Sequence, residues 1–319
     1  MKLIIDTDAG VDDAHALMMA LACPDAQVEC ITTVVGNIDL ENVVRNVGTV
    51  LDVMDVDVPF YRGAHLPLVA PWRFETEFVH GADGLGDLKQ RPPARHFPAE
   101  GHAVTQIIER SAAAPGEITL VAIGPLTNVA LAMRLDPDLP KRLKRLVVMG
   151  GSLHAVGNTD IFPAEFNIYC DPEAAHMVFE AFTDILLVTW DATLANPLPT
   201  PVFEELTSQP GPRAALYRDS CEGMLQRLSE AGYEAEVLIP DTLTMAVTLR
   251  PSLIVASERH HVAVELRGSL SRGQTITDHR NWVRQRPNVE CVTEAEIGGV
   301  ADLFRQFVAP VEPGPARLR

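Results

Sequence analysis

The sequence predicts an α/β fold, with a mostly parallel central sheet, helices on both of its faces and a small C-terminal strand addition. Short β-branched runs alternate along the chain with segments whose apolar residues recur at helical spacing. The runs are apolar throughout rather than alternating, the pattern of strands covered on both faces in a parallel sheet. The 319 residues are 47% apolar and only 22% charged, enough to bury a large core. Residues 1–309 read as a single domain, and 310–319 as a frayed tail.

Strands are expected at Leu3 to Ile5, Val28 to Val34, Ile118 to Ala122, Leu146 to Met149 and Ile185 to Thr189. Helices are expected at Asp13 to Ala22, Leu40 to Met54, His102 to Ala113, Leu126 to Arg134 and Pro172 to Phe182, several with Asp, Thr or Pro at the start. The stretch Pro59 to Pro98, rich in Pro, Gly and His, reads as a long loop that is either a functional lid or a mobile excursion. After residue 255 the pattern changes to short strands (His261 to Leu266, Gln274 to Thr277, Val289 to Val292) and a closing helix, Glu294 to Val308. No fixed-period repeat is present.

A formal net charge of -17 excludes a nucleic-acid partner, since phosphate binding needs a basic stripe and there is none. No apolar run approaches the ~20 residues that span a bilayer, and Asp6 cuts the first apolar run too early for a signal peptide. The five cysteines (Cys23, Cys30, Cys170, Cys221, Cys291) are scattered and lack a Cys-x-x-Cys pair, which suits core positions in a reducing compartment. A cytoplasmic enzyme is the expectation.

Part of the acidity is concentrated. Asp6, Asp8, Asp12 and Asp13 fall within eight residues, on the loop joining the first strand to the first helix. In a parallel sheet that loop lies at the carboxyl ends of the strands, where ligands bind. Two carboxylates ~4 Å apart repel by about 4 kcal/mol at an effective dielectric near 20. A buried cluster therefore takes up protons or holds a hard cation with oxygen ligands. Helix capping by Asp12 or Asp13 is the plainer alternative, and it leaves three aspartates unexplained.

The run Asp6-Thr7-Asp8-Ala9-Gly10-Val11-Asp12-Asp13-Ala14, directly after the first strand, resembles the signature of the inosine-uridine nucleoside hydrolases. Further segments match in order: Thr32-Thr33-Val34-Val35-Gly36-Asn37, Gly124-Pro125-Leu126-Thr127-Asn128, Val148-Met149-Gly150-Gly151, Ala164-Glu165-Phe166-Asn167 and Asp171-Pro172-Glu173-Ala174-Ala175. The resemblance runs from residue 3 to about residue 308 and implies a Rossmann-like nucleoside hydrolase fold and cleavage of N-ribosidic bonds. It implies Ca²⁺ held by Asp8, Asp13, the main-chain carbonyl of Ile123 and Asp241, with a water and two ribose hydroxyls completing the six to eight oxygens the ion prefers. Asp8 is then also the general base and Asp6 supports the ligands from behind. Ribose contacts fall to Asp12, Asn37, Met149, Asn158, Glu165 and Asn167, and His80 corresponds to a base-contacting position. The segment between Asn158 and Glu165 is one residue longer than the pattern. Relatives imply a homo-oligomer, dimer or tetramer.

Plainer readings stand beside these. Asn37 reads as a turn residue after Gly36, Asn128 as a helix cap, and Met149 and Trp190 as core. One position departs from the family: the histidine that serves as leaving-group acid, immediately before the last metal aspartate, is Pro240 here. A proline carries no side-chain proton, so leaving-group activation falls to the purine-type strategy of stacking the base between aromatics, for which Trp72, His80, Tyr233 and Trp282 are the candidates. Two other functions are compatible with parts of the pattern. A haloacid dehalogenase-type phosphatase also places Asp-x-Asp after its first strand, but with Gly-Thr following, where this chain has Ala9-Gly10-Val11. A calcium-bound riboside-binding protein without turnover would explain Pro240, but has no use for Asp8 as a base.

Overall fold

The structure is a computed structural model that describes residues 1–72, 76–230, 232 and 237–309. Its frame is a sheet of eight strands in the order β3-β2-β1-β4-β5-β6-β10-β7. These are β1 (Lys2–Thr7), β2 (Gln27–Thr33), β3 (Phe60–Tyr61), β4 (Ile118–Ala122), β5 (Arg145–Met149), β6 (Ile185–Val188), β7 (Ile254–His260) and β10 (Val289–Ala295). All neighbours pair in parallel except β7, which runs antiparallel along β10. A separate hairpin pairs β8 (Val262–Val264) with β9 (Thr275–Thr277).

The apolar runs form strands because each residue has somewhere dry to go. In β1, Leu3 and Ile5 join the core on one face of the sheet and Ile4 the core on the other. Val121, Val147 and Leu186 repeat the first choice, and Leu120, Leu146 and Leu187 the second. On the first face lie helices Val11–Ala22, Leu40–Met54, Pro212–Glu230, Pro240–Leu249 and Ile297–Val308. On the second lie Ala103–Ala113, Thr127–Leu135 and Pro172–Ala181. Helix ends follow side-chain chemistry: Asp39 accepts from the Asn42 amide at 3.1 Å and Asp171 from the Ala174 amide at 3.1 Å. All five cysteines are buried and unpaired.

The C-terminal region departs from expectation. The segment read as a peripheral strand at 289–292 enters the main sheet beside β6, since Val289, Cys291 and Val292 are wholly buried. Strand β7 itself carries exposed and partly exposed residues and has no apolar run to signal it; only the hairpin is an addition. Trp190, read as core, opens the short helix Trp190–Ala195 and is half-buried against the first-face core. Within the long loop, Phe60–Tyr61 forms β3 and Glu77–His80 a single helical turn. No helix among the described residues is long and apolar enough to cross a membrane.

Candidate active site

The strand order reverses between β1 and β4, so the loops leaving their carboxyl ends diverge and open a crevice. The acidic loop after β1 and Ile123 after β4 border it. The wall opposite is the start of helix Pro240–Leu249, which brings Asp241. The ligand oxygens of Asp12, Asp13 and Asp241 lie within 4.8 Å of one another. Asp8 meets Asp13 carboxyl to carboxyl. Asp12, expected as a ribose contact, thus stands with the carboxylates expected to hold metal.

Backbone and hydroxyl donors hold the cluster. Asp13 accepts from Thr7 Oγ1 at 2.6 Å, from the Gly10 amide at 3.0 Å and from Asn37 Nδ2 at 3.1 Å. Asp13 therefore does cap its helix, as the plainer reading held, while Asp8, Asp12 and Asp241 remain outside that role. Asp8 Oδ2 accepts from the Asn37 amide at 2.7 Å. Asn37 is thus a brace between two aspartates as well as a turn residue. Gly36 must lack a side chain, because a Cβ there would drive into Asp8 Oδ2.

Behind the cluster, Asp6 Oδ1 accepts from Thr32 Oγ1 at 2.6 Å and Asn128 Nδ2 at 2.8 Å. Asn128 also donates to the Thr33 carbonyl at 2.9 Å and accepts from the Ala64 amide at 2.9 Å. It is not the helix cap it resembles in sequence: it lies within helix Thr127–Leu135 and clamps β1, β2 and the loop after β3. Thr7, Thr32 and Asn128 escape sequence reasoning because each is an ordinary buried polar residue until its partner is known. Replacing Asn128 with alanine removes three hydrogen bonds, and the expected loss is about 3 kcal/mol of unfolding free energy. Chemical denaturation checks it, and an unchanged midpoint would refute the clamp.

Opposite, Asn167 Nδ2 reaches the Ile123 carbonyl at 3.1 Å and the Met149 carbonyl and sulfur at 3.3 Å each. Glu165 caps helix Phe166–Cys170, accepting from Asn167 and Ile168 amides at 2.9 and 3.2 Å and from the Gly151 amide at 2.9 Å. Asn158 is exposed and accepts from the Phe166 amide at 2.8 Å. His80 is buried, with Nδ1 accepting from the Val11 amide at 3.2 Å and 4.0 Å from Asp12 Oδ1. Its proton therefore resides on Nε2. Trp72 donates its indole N–H to the Gly36 carbonyl at 2.9 Å, beside Asn37. Trp282 is 76% exposed with the Arg280 guanidinium over its ring. Tyr233 lies outside the described residues.

Burial dominates the electrostatics. It lifts Asp6 to about 7 and Asp13 to about 6, with Asp12 adding repulsion at Asp13. Asp8 and Asp241 rise well above the carboxylate range, through burial first and the neighbouring aspartates second. Burial also lifts Glu165 to about 7 and lowers His80. Among the described residues no lysine or arginine pairs with Asp8, Asp12, Asp13 or Asp241. Asp8 Oδ1 and Asp12 Oδ1 are buried without a hydrogen-bond partner. Unpartnered carboxylate oxygens in an all-oxygen pocket of uncompensated charge fit a hard divalent cation.

Known proteins resemble the chain over most or nearly all of its length. The chain is 35% identical over 281 residues to the inosine-uridine preferring nucleoside hydrolase of Leishmania major, covering 88% of each. It is 34% identical over 317 residues to the non-specific ribonucleoside hydrolase RihC of Salmonella enteritidis, covering 98% of this chain and 97% of the relative. Among solved structures, an inosine-guanosine nucleoside hydrolase superposes with a TM-score of 0.87 at 34% identity, covering 98% of this chain and 99% of that one. A plant nucleoside hydrolase gives 0.88 at 31% identity, covering 97% and 99%.

With the fold, these relatives define the class: the chain is an N-ribosyl hydrolase, an enzyme that splits ribonucleosides into ribose and free base. Residues 3–302 match the family model described as inosine-uridine preferring nucleoside hydrolase, and the chain belongs to that family.

Proposed function

We propose that this enzyme is calcium-dependent, that Asp8 is its general base, and that it favours purine over pyrimidine ribosides. The observation that carries the proposal is the meeting of buried Asp8, Asp13 and Asp241 with half-buried Asp12, one oxygen each of Asp8 and Asp12 being left without a partner. Asp8, Asp13, Asp241 and the Ile123 carbonyl would hold the ion, with Asp12 close enough to join them. When bound, calcium would polarise a water and fix the vicinal ribose hydroxyls.

The chain's own groups do the rest. Asp8 Oδ1 is free to take the proton of the attacking water, while Oδ2 is pinned by the Asn37 amide. Asp12, Asn37, Met149, Glu165 and Asn167 would surround the ribose, with Asn158 at the rim and His80 toward the base. The clustered carboxylates stabilise positive charge developing at C1' as the glycosidic bond lengthens, as in other glycoside hydrolyses. Trp72, anchored at Gly36, and His80 are the described aromatic groups suited to contact the base.

Base preference follows from the helix start at Pro240, which offers no proton to the departing nitrogen. A general acid contributes ~10²- to 10⁴-fold, so a leaving group that can be protonated on its own ring suffers least. Purines have such a nitrogen in the imidazole ring; uracil has no comparably basic site. A reducing-sugar assay across inosine, guanosine, adenosine, uridine and cytidine, with and without calcium, is the test. We expect purine ribosides to exceed uridine in kcat/KM by at least about tenfold, the low end of a general acid's contribution. Equal values would remove the argument from Pro240. A homo-oligomer, dimer or tetramer, is the proposed assembly, supported by the family resemblance and read by light scattering.

A further inference from the structure

At the antiparallel edge of the sheet, away from the acidic crevice, imidazoles and a carboxylate gather. Glu258 and His260 are two residues apart on β7 and so share a face of the strand. His279 comes from the segment after β9. One ligand atom of each lies within 4.8 Å of the others. Glu258 Oε2 is 2.7 Å from His260 Nε2, and the His260 and His279 rings meet edge-on at 5.0 Å. His154, in the loop after β5, stacks on His279 with ring centroids 5.4 Å apart.

The tautomer of His279 is settled by its neighbour. Its Nε2 is 3.1 Å from the Leu153 carbonyl, and a carbonyl only accepts, so Nε2 carries the proton and the neutral ring keeps a lone pair on Nδ1. Ligating histidines are arranged this way, with one nitrogen donating to a backbone carbonyl and the other facing the ion. A simple ion pair would need only His260 beside Glu258. It gives no reason for two further rings to collect at the same carboxylate.

We propose that Glu258, His260 and His279 bind a zinc-class divalent ion, with His154 stacked behind His279 and the fourth position open to water, independently of the acidic crevice. Two imidazoles and one carboxylate, with a water in the fourth place, match a tetrahedral set that zinc takes, and differ from the all-oxygen set that suits calcium. The ion would fasten the loop after β5 to the sheet edge. That loop is already tethered by Asp191, which accepts from the Leu153 amide at 2.7 Å and the His154 amide at 3.3 Å, and it continues to Asn158 and Glu165 at the ribose side. Occupancy would therefore stiffen one wall of the active site from outside it.

The test is calorimetric titration of Zn²⁺ into the full chain, free of any histidine tag, in saturating Ca²⁺. Co²⁺ absorption serves as a second readout of imidazole ligation. One saturable Zn²⁺ equivalent is expected. His260→Ala and His279→Ala should each weaken it by about 100-fold or more, and His154→Ala by about tenfold. Asp241→Asn should leave zinc affinity as in the parent. Absence of a saturable equivalent, an affinity unmoved by His260→Ala or His279→Ala, or displacement of zinc by calcium would overturn the proposal.

Discussion

Asp8→Ala is expected to lower ribose release by about 10³- to 10⁴-fold, near the upper end of what a general base supplies, while the protein stays folded. The two halves of that result have separate causes. On the proposed mechanism catalysis falls because Asp8 Oδ1 is the carboxylate oxygen left without a partner while Oδ2 is held by the Asn37 amide. Stability holds because the deletion removes a buried acid repelled by Asp13, and leaves the Asn37 amide as the one donor without its acceptor. That orphaned amide costs ~1 to 3 kcal/mol, against relief of a repulsion of similar size. Ribose release by a reducing-sugar assay and Tm by calorimetry read the two effects. Near-normal ribose release in a folded variant would remove Asp8 from the mechanism.

The second large effect joins metal to pH. Asp6 and Asp13 have folded pKa values of about 7 and about 6, above the ordinary aspartate value of 3.8. A carboxyl raised in this way stabilises the metal-free fold fully below its unfolded pKa. That contribution is lost as pH climbs through the folded value, so chelated protein should become less stable between about pH 4 and pH 7. At ~1.4 kcal/mol per pKa unit, Asp6 alone sets a ceiling of about 4 kcal/mol, a large share of a domain's usual ~5 to 15 kcal/mol. Asp8 and Asp241, raised further, act in the same direction. Bound calcium favours the ionised forms and opposes the loss, so the gain in Tm on adding calcium should grow from pH 5 to pH 8. Chelation should abolish activity, and calcium should restore it better than magnesium or zinc. A calcium-induced Tm gain that shrinks with rising pH would contradict the account.

How much of this was legible in the chain depended on whether burial leaves a pattern. Buried parallel strands are apolar runs, and β1, β2, β4, β5 and β6 were found within one or two residues. Amphipathic helices were found equally well, Leu40–Met54 to the residue. Helix Pro212–Glu230 was missed although Ala214, Tyr217, Cys221 and Met224 recur at helical spacing on its buried face, because small and polar residues dilute that stripe and the rest of the helix is polar. Helix Pro240–Leu249 was missed for the opposite reason: nearly all of it is buried and it has no polar face to alternate with. The acidic loop could be read from local density of charge alone. Asp241 could not, since it is remote in sequence and entered only through the resemblance. The braces Thr7, Thr32 and Asn128 were beyond reach, since a hydroxyl or amide is informative only beside the carboxylate it serves.

The insertion of β10 between β6 and β7 has a consequence for biosynthesis. Strand β10 is flanked on both sides by strands made earlier, and among the described residues β7 joins the main sheet through it. Until the ribosome has released that stretch, β6 presents an open, apolar rim and β7 has no partner in the sheet. Nascent chains stalled or cleaved before residue 289 should therefore be sticky and prone to misassembly, and dependent on chaperones, even with the whole acidic crevice already translated.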